Sequence, residues 1–300
     1  MVRAGRWGIA GAYDEGMADA ENPGGRIVLA ATPIGNLSDA SEHLRHLLAT
    51  ADVVAAEDTR RAHHLAQGLG VRITGKVVSH HEHNERESTQ ELLDAARNGA
   101  VVAVVTDAGM PLVSDPGYRL VSTAAREDVP VTCAPGPSAV TTALALSGLP
   151  TDRFAFEGFL PRKEGERSRL LTELSRDART LVFFESPHRL AATLSSLREA
   201  FGADRPACVA RELTKLHEEV VRDSLEGLLE WAGSKDVRGE IVIVTAGATS
   251  EPDTDTAGQV ADVEVLVASG TRLKEAVATV AAARGVPKRE LYEAVLASRQ

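Results

Sequence analysis

Residues 100–117 read AVVAVVTDAGMPLVSDPG, and this stretch decides the fold class. Its first half is a short, uniformly apolar run. Such a run reads as a strand buried on both faces, at the centre of a parallel sheet. The turn that follows, Thr106 to Gly117, carries two Asp, two Pro and two Gly. Glycine lets a backbone approach a ligand closely, and proline holds the turn rigid. Ligands of open α/β sheets sit beyond the carboxyl ends of such strands. Two shorter turns repeat the pattern. Thr32-Pro33-Ile34-Gly35-Asn36-Leu37 follows RIVLAA at 26–31, and Pro135-Gly136-Pro137-Ser138-Ala139 follows PVTC at 130–133. Any α/β protein needs turns with Gly and Pro, but the long middle turn exceeds that need. Together the three predict one preorganised pocket lined largely by main chain.

Outward from this stretch, apolar runs alternate with amphipathic ones. Strands are predicted at 26–31, 52–56, 76–79, 100–106 and 130–133, and helices at 38–50, 59–68, 87–98 and 117–127. Leu44, Leu47 and Leu48 share one face of the first helix, with Ser38 or Asp39 as its cap. The βαβα order implies a mainly parallel sheet. A second set places strands at 153–158, 180–184, 206–211, 217–222 and 240–245, and helices at 137–148, 166–176, 187–201 and 223–233. The link between 206–211 and 217–222 is too short for a parallel crossover, so this sheet is expected to be mixed, with a hairpin. The reading is thus two α/β domains, 26–136 and 137–247, with a cleft between them. Residues 1–25 read as a mobile extension or a start-site artefact. Residues 248–265 hold five acids and no base, and read as an acidic linker. Residues 266–300 read as a small helical module of two helices, 272–284 and 288–298. That tail either packs on the body or contacts nucleic acid.

Composition narrows the function classes. Three hundred residues are enough for two domains with cores of their own. Net charge is −10, which argues against a general nucleic-acid coat protein, although a local basic patch can still meet RNA. Arg162, Lys163, Arg167, Arg169, Lys274, Lys288 and Arg289 are the candidate phosphate contacts. Aromatics make up 4%, so stacking platforms for single strands are not obvious. No apolar run approaches the roughly 20 residues needed to span a bilayer. The two cysteines, Cys133 and Cys208, read as small core residues, fit a reducing cytoplasm and give no zinc spacing.

Four polar clusters invite chemistry. Glu57-Asp58-Thr59-Arg60 follows the second strand. It is either an acidic cluster over the cleft or a helix cap with a local ion pair. His80-His81-Glu82-His83-Asn84-Glu85 matches no tetrahedral metal signature and reads as a polar loop facing substrate, with no metal. Phe183-Phe184-Glu185-Ser186-Pro187-His188-Arg189 ends one strand, and Arg211-Glu212-Leu213-Thr214-Lys215 ends another. With Gly239-Glu240 they form either a site or a structural ion-pair network. Walker A, G-x-G-x-x-G and G-x-S-x-G motifs are missing. That favours group transfer in which a cosubstrate carries the reactive group and the protein positions it.

The series TPIGNL, EDTR, SHHEHNE, TDAGMPLVSDPG, PGPSA, FFESPHR, RELTKLHEE and GEIVIV closely resembles the ribosomal RNA small-subunit methyltransferase I family, within the tetrapyrrole-methylase superfamily. The match runs in order from about Arg26 to Gly247, and LKEAVATVAAARGVPKRELYEAVL looks like the family's tail. The resemblance implies S-adenosylmethionine in the cleft, a cytoplasmic homodimer, and 2′-O-methylation of a cytidine ribose in 16S ribosomal RNA of the 30S subunit. It implies cofactor contacts at Pro33, Gly35, Ala108, Gly109, Met110, Val113, Ser138, Ala139, Glu185, Ser186, Leu213 and Gly239. Met110 stands where a Thr is common, so a hydroxyl contact is replaced while a main-chain contact survives.

Elementary chemistry suits such a pocket. Positive charge on the sulfonium disappears as the methyl moves, so a carboxylate tight against sulfur would favour the reactant over the transition state. Carbonyls and apolar atoms fit better. A ribose hydroxyl is a poor nucleophile and benefits from a base. By position Asp58, Glu57 and Asp107 are the candidates, with Arg60 holding an adjacent phosphate. Two other readings remain. One keeps fold and cofactor but methylates a tetrapyrrole carbon. The other is a non-catalytic RNA-binding assembly protein.

Overall fold

The computed structural model describes residues 24–248, 256–284 and 286–299. The expected extension at 1–25 lies outside the described residues apart from its last two positions. The first half is a parallel sheet of β1 (Arg26–Ala30), β2 (Val53–Ala56), β3 (Lys76–Ser79), β4 (Val101–Val105) and β5 (Val131–Ala134), in the order β3-β2-β4-β1-β5. The two-residue period of a strand divides its side chains between two cores. Val28, Val54, Ala103 and Val105 face α1 (Glu42–Thr50) and α2 (Thr59–Gly68). Ile27, Ala55, Val102 and Val104 face α3 (Glu85–Arg97) and α4 (Tyr118–Arg126). Leu44, Leu47 and Leu48 of α1 are buried on one face as expected, and each fully buried Leu is worth about 1.5–3 kcal/mol. The cap of α1 is Ser41, whose Oγ accepts the Leu44 N–H at 3.0 Å. Ser38 and Asp39, the expected caps, lie instead in a short 3-10 turn opened by Asn36.

α5 (Ala139–Ser147) follows β5 but packs under the second sheet. That sheet comprises β6 (Phe154–Phe159), β7 (Thr180–Glu185), β8 (Pro206–Arg211), β9 (Glu219–Ser224) and β10 (Ile241–Thr245), ordered β6-β7-β10-β8-β9. It is mixed, as the short link predicts. β6 and β7 are parallel, β8 and β9 form the hairpin, and β10 runs antiparallel to both its neighbours. α6 (Glu164–Leu174), α7 (Leu190–Phe201) and α8 (Leu225–Gly233) cover its other face. Ile34, from the first half, sits in the same cluster as Val140, Leu144, Leu213 and Val242. The two halves therefore share apolar packing.

The tail differs from expectation. Residues 256–265, read as the end of an acidic linker, belong to helix α9 (Thr256–Ala268). It joins α10 (Leu273–Arg284) and α11 (Lys288–Ser298) around Val263, Ala276, Val277, Leu291 and Val295. The acid count concealed Val260, Val263 and Val267, which recur at the helical spacing of three and four. The remaining expected linker residues, 249–255, lie outside the described residues.

Gly35 marks a close approach between the halves. A Cβ there would fall 2.4 Å from Lys215 Cγ and 2.9 Å from both Leu213 O and Thr214 Oγ1. Its bare face is filled by the turn between β8 and β9. Gly35→Ala is expected to destabilise the protein by about 1–3 kcal/mol through overpacking. Urea unfolding followed by circular dichroism measures this.

Candidate active site

The carboxyl ends of β1, β4 and β5 point toward the second sheet, and a cavity of about 360 Å³ lies between them and it. This falls within the range of about 300–1,000 Å³ usual for small-molecule sites. One wall is the long turn after β4, which supplies Ala108, Gly109, Met110, Val113, Ser114 and Asp115. A two-bond bridge fixes that turn to the turn after β1. Thr32 N–H donates to Gly109 O at 2.9 Å, and Gly109 N–H donates to Thr32 O at 3.1 Å. The Thr32 hydroxyl also donates to Thr106 O at 3.2 Å. Gly109 has φ +85°, and a Cβ there would sit 3.3 Å from Ile34 Cγ2. Leu112 and Ser114 hold φ values of +73° and +65°, strained for residues with side chains. Ser138 and Ala139 open α5 at the cavity, and Ser138 makes no side-chain cap bond. The first N–H groups of α5 therefore meet the cavity without a capping side chain.

The opposite wall is Phe159, Phe184, Glu185, Ser186, Leu213 and the start of β10 from Gly239. Glu185 is buried and its carboxylate is used locally. Oε1 accepts the Ser186 N–H at 2.8 Å, and Oε2 accepts the Thr193 hydroxyl at 2.5 Å. Lys215 lies 2.9 Å from both Glu212 and Glu240, and the Glu240 N–H donates to Glu212 at 3.0 Å. The Lys215 ammonium holds the Glu212 carboxyl below its ordinary range. This is the structural network that the sequence left as one of two readings, and it frames the cavity edge.

Two residues expected at the cofactor lie elsewhere. Pro33 lines a separate cavity of about 40 Å³, and Gly35 packs on the turn between β8 and β9. Ile34, between them, is the residue of that turn that reaches the main cavity. The backbone alternates direction along an extended turn, so adjacent residues part company.

The small cavity gathers Glu57, Asp58, Asp107 and Arg61. Asp58 caps α2. Its Oδ1 accepts the N–H groups of Arg60 at 2.8 Å and Arg61 at 3.4 Å, and its Oδ2 meets the Arg60 guanidinium at 3.1 Å. These bonds, Arg60's side chain first, hold its carboxyl below the ordinary value. Arg60 itself is exposed and does not line the cavity. Arg61 does, and pairs with Asp107 at 2.5 Å. Asp115, near the end of the long turn, lines the main cavity, a placement its sequence position does not mark. Burial, reinforced by Glu57, pushes its carboxyl from 3.8 up to about 7; the Thr106 hydroxyl offsets part of this and Asp107 adds to it.

Part of the histidine-rich loop is tied into the fold. His80 is buried, with Nδ1 2.8 Å from Ser88 Oγ, and burial lowers its pKa. Asn84 accepts from His81 N–H and donates to Ser79 O. Glu85 Oε1 accepts the N–H groups of Gly117 and Arg119 and so caps α4 from another helix. Through Glu85 this loop steadies the end of the long turn.

Comparison with known proteins decides the family. The tetrapyrrole (corrin/porphyrin) methylases match residues 26–229. The chain is 56% identical over 277 residues to "Ribosomal RNA small subunit methyltransferase I" of Mycobacterium bovis, covering 92% of this chain and 96% of that one. It is 43% identical to the protein of the same name in Halalkalibacterium halodurans, covering 89% and 93%. A solved uroporphyrin-III C-methyl transferase from Thermus thermophilus, complexed with S-adenosylhomocysteine, aligns with TM-score 0.51 at 25% identity, covering 74% of this chain and 97% of that one. The chain belongs to the tetrapyrrole methylase family. It is a methyltransferase, and S-adenosylmethionine is the group its cavity has to fit. The cavity suits it: the volume is right, the walls are mostly apolar and main-chain, and of the carboxylates lining it Glu185 and Glu240 are engaged by neighbouring groups.

If Asp58 acts as a cap, Asp58→Ala lowers Tm by a few degrees while cofactor affinity stays normal. A depressed carboxyl pKa stabilises the fold above the unfolded value, and that contribution fades as pH falls through the folded value. The Tm difference between wild type and variant is therefore full at pH 7 and vanishes in acid below 3.8. Scanning calorimetry across pH checks both.

Proposed function

We propose that this protein transfers a methyl group from S-adenosylmethionine to the 2′-hydroxyl of a cytidine ribose in 16S ribosomal RNA, within the small subunit. It works in the cytoplasm and as a homodimer. The observation that carries the reading is the cavity shared by main-chain turns of both halves, in a chain that keeps more than half its residues in common with a small-subunit RNA methyltransferase. The bound cofactor supplies an electrophilic methyl. Everything else is positioning. Ala108, Gly109, Met110, Val113 and Leu213 provide main-chain and apolar walls. Ser138, Ala139 and the N-terminus of α5 offer donors to an anionic group. Glu185 holds the Ser186 turn in place, and Gly239 leads into β10 beside it.

Among the carboxylates, Asp115 is best placed to take the hydroxyl proton. It lines the main cavity, whereas Glu57, Asp58 and Asp107 line the smaller one. Asp58 and Asp107 are also occupied by Arg60 and Arg61. A base whose pKa lies near the working pH is the effective kind. Arg61, paired and partly exposed, is better aimed than Arg60 to meet a phosphate near the cleft.

The test is transfer of labelled methyl to 30S subunits, with a tetrapyrrole as the control acceptor, followed by ribose-methylation mapping. The reading expects label on one cytidine ribose and none on the macrocycle. Label on the macrocycle alone would transfer the protein to the carbon-methylating branch.

Asp115→Asn is expected to slow methyl transfer by about 10²–10⁴-fold, the usual worth of a general base, with cofactor affinity retained. In the wild type kcat/KM for RNA rises with pH to a plateau, with a midpoint no higher than about 7. A bound sulfonium is cationic and draws that midpoint down. The sign for stability is opposite to that of Asp58. A raised carboxyl pKa favours the fold while protonated, and stability is lost as pH climbs from 3.8 toward 7. Asp115→Asn therefore raises Tm at pH 8 while removing activity.

A further inference from the structure

We propose that the exposed face of Phe159 is the stacking platform for the base of the nucleotide whose ribose enters the cavity. This rests on the RNA-methyltransferase reading and adds to it the site's first base contact.

The placement begins with a fault in a strand. FAFEGFLPRK spans 154–163. Simple alternation would send Phe156 and Phe159 to opposite faces of the sheet. The β6–β7 register pairs Phe156 with Val182, then Gly158 with Phe183 and Phe159 with Phe184, so Glu157 is an extra residue. Gly158 takes φ +65° at this bulge. A bulge re-aims the side chain that follows it, and such bulges concentrate beside active sites. Here it brings Phe159 round to Phe184. Phe156 and Phe159 meet the Phe184 ring edge-on, at 4.8 and 5.6 Å between centroids.

The result is an aromatic ring set at 64° to its neighbour, with more than half its surface left to solvent. Phe159 is 57% exposed although it touches Phe184 and lines the cavity. β6 is an edge strand, so no further strand covers the approach. The position is right for an acceptor. The bare face of Gly158 lies 3.6 Å from Ser114 Oγ, next to Asp115. A base stacked on Phe159 leaves its ribose on the Asp115 side. Basic residues follow within four positions. Arg162 is exposed with no ion pair among the described residues, and Lys163 is exposed and bonded to Glu166. Phosphates flanking a stacked base meet positive charge there. A rigid ring loses little freedom on stacking, and stacking accepts any base because every base has a π-face.

Phe159→Leu, Phe159→Ala and Phe159→Trp are compared with wild type on 30S subunits. A short single-stranded RNA carrying pyrrolo-cytidine reports stacking by fluorescence quenching. Leu and Ala are expected to raise KM for subunits about tenfold, a mid-range effect for loss of base stacking, and to abolish the quench. Trp restores both. Cofactor affinity by calorimetry is expected to change less than KM for subunits, and Tm to fall only slightly, since the ring is more than half exposed although it packs on Phe184 and lines the cavity. Wild-type KM and quenching in Phe159→Leu would overturn the platform, as would a tenfold loss of cofactor affinity in Phe159→Ala, which would make the ring part of the cofactor wall. These failures differ from failure of the parent reading. In that case the wild type itself leaves 30S subunits unmethylated, and the platform falls with it.

Discussion

The paired hydrogen bonds between Thr32 and Gly109 hold the site together. β1 and β4 are neighbours in the sheet, and their outgoing turns would otherwise diverge toward separate helices. The bridge continues their pairing past the end of the sheet, with reversed polarity. It aligns Ile34 with the bare face of Gly109 and sets the start of the long turn. Glu85 anchors the other end of that turn by capping α4. A loop fixed at both ends can keep Leu112 and Ser114 in strained left-handed conformations.

Strain on the opposite side has the same logic. Glu212 and Thr214 also take positive φ, and they flank Leu213 at the cavity wall. Their turn is pinned by Lys215 between two carboxylates and by Gly35 pressing from the first half. An ion pair at a half-exposed site contributes little stability by itself. Its value here is geometric, because three groups fix one turn. The shared cluster of Ile34, Val140, Leu144 and Val242 supplies the apolar energy that keeps the halves facing each other.

Much of this was legible because it depends on local pattern. Short apolar runs located most of the strands, and Gly and Pro marked the turns that meet at the cavity. What stayed hidden depends on distance across the chain. Gly35 sits in a turn that looks made for a cofactor, yet its missing side chain makes room for the turn after β8. Arg60 and Arg61 are adjacent in sequence, but about 100° apart around a helix. One therefore projects into solvent while the other reaches Asp107. Asp107 is paired with Arg61, whereas Asp115 is buried near Glu57, and no spacing reveals the difference. In α9 Asp262 is exposed and Glu264 partly so, while Val263 between them is buried in the helical core, which an acid count does not show.

Charge placement is consistent with the chemistry proposed for the cavity. A permanent carboxylate against a sulfonium would stabilise the reactant most, and so slow transfer. The structure spends its acids elsewhere: Glu185 on Ser186 and Thr193, Glu212 and Glu240 on Lys215, Asp107 on Arg61. The carboxyl that remains on the cavity wall is Asp115, which burial keeps largely protonated below about pH 7. A base of that kind is neutral for part of its working range and weakly attractive to the cofactor. It gains charge when the proton leaves, and it accepts one when a ribose hydroxyl is brought to it. The same burial that makes Asp115 costly to the fold would equip the carboxyl proposed as base for proton transfer, so that base is expected to be a net liability to stability at alkaline pH.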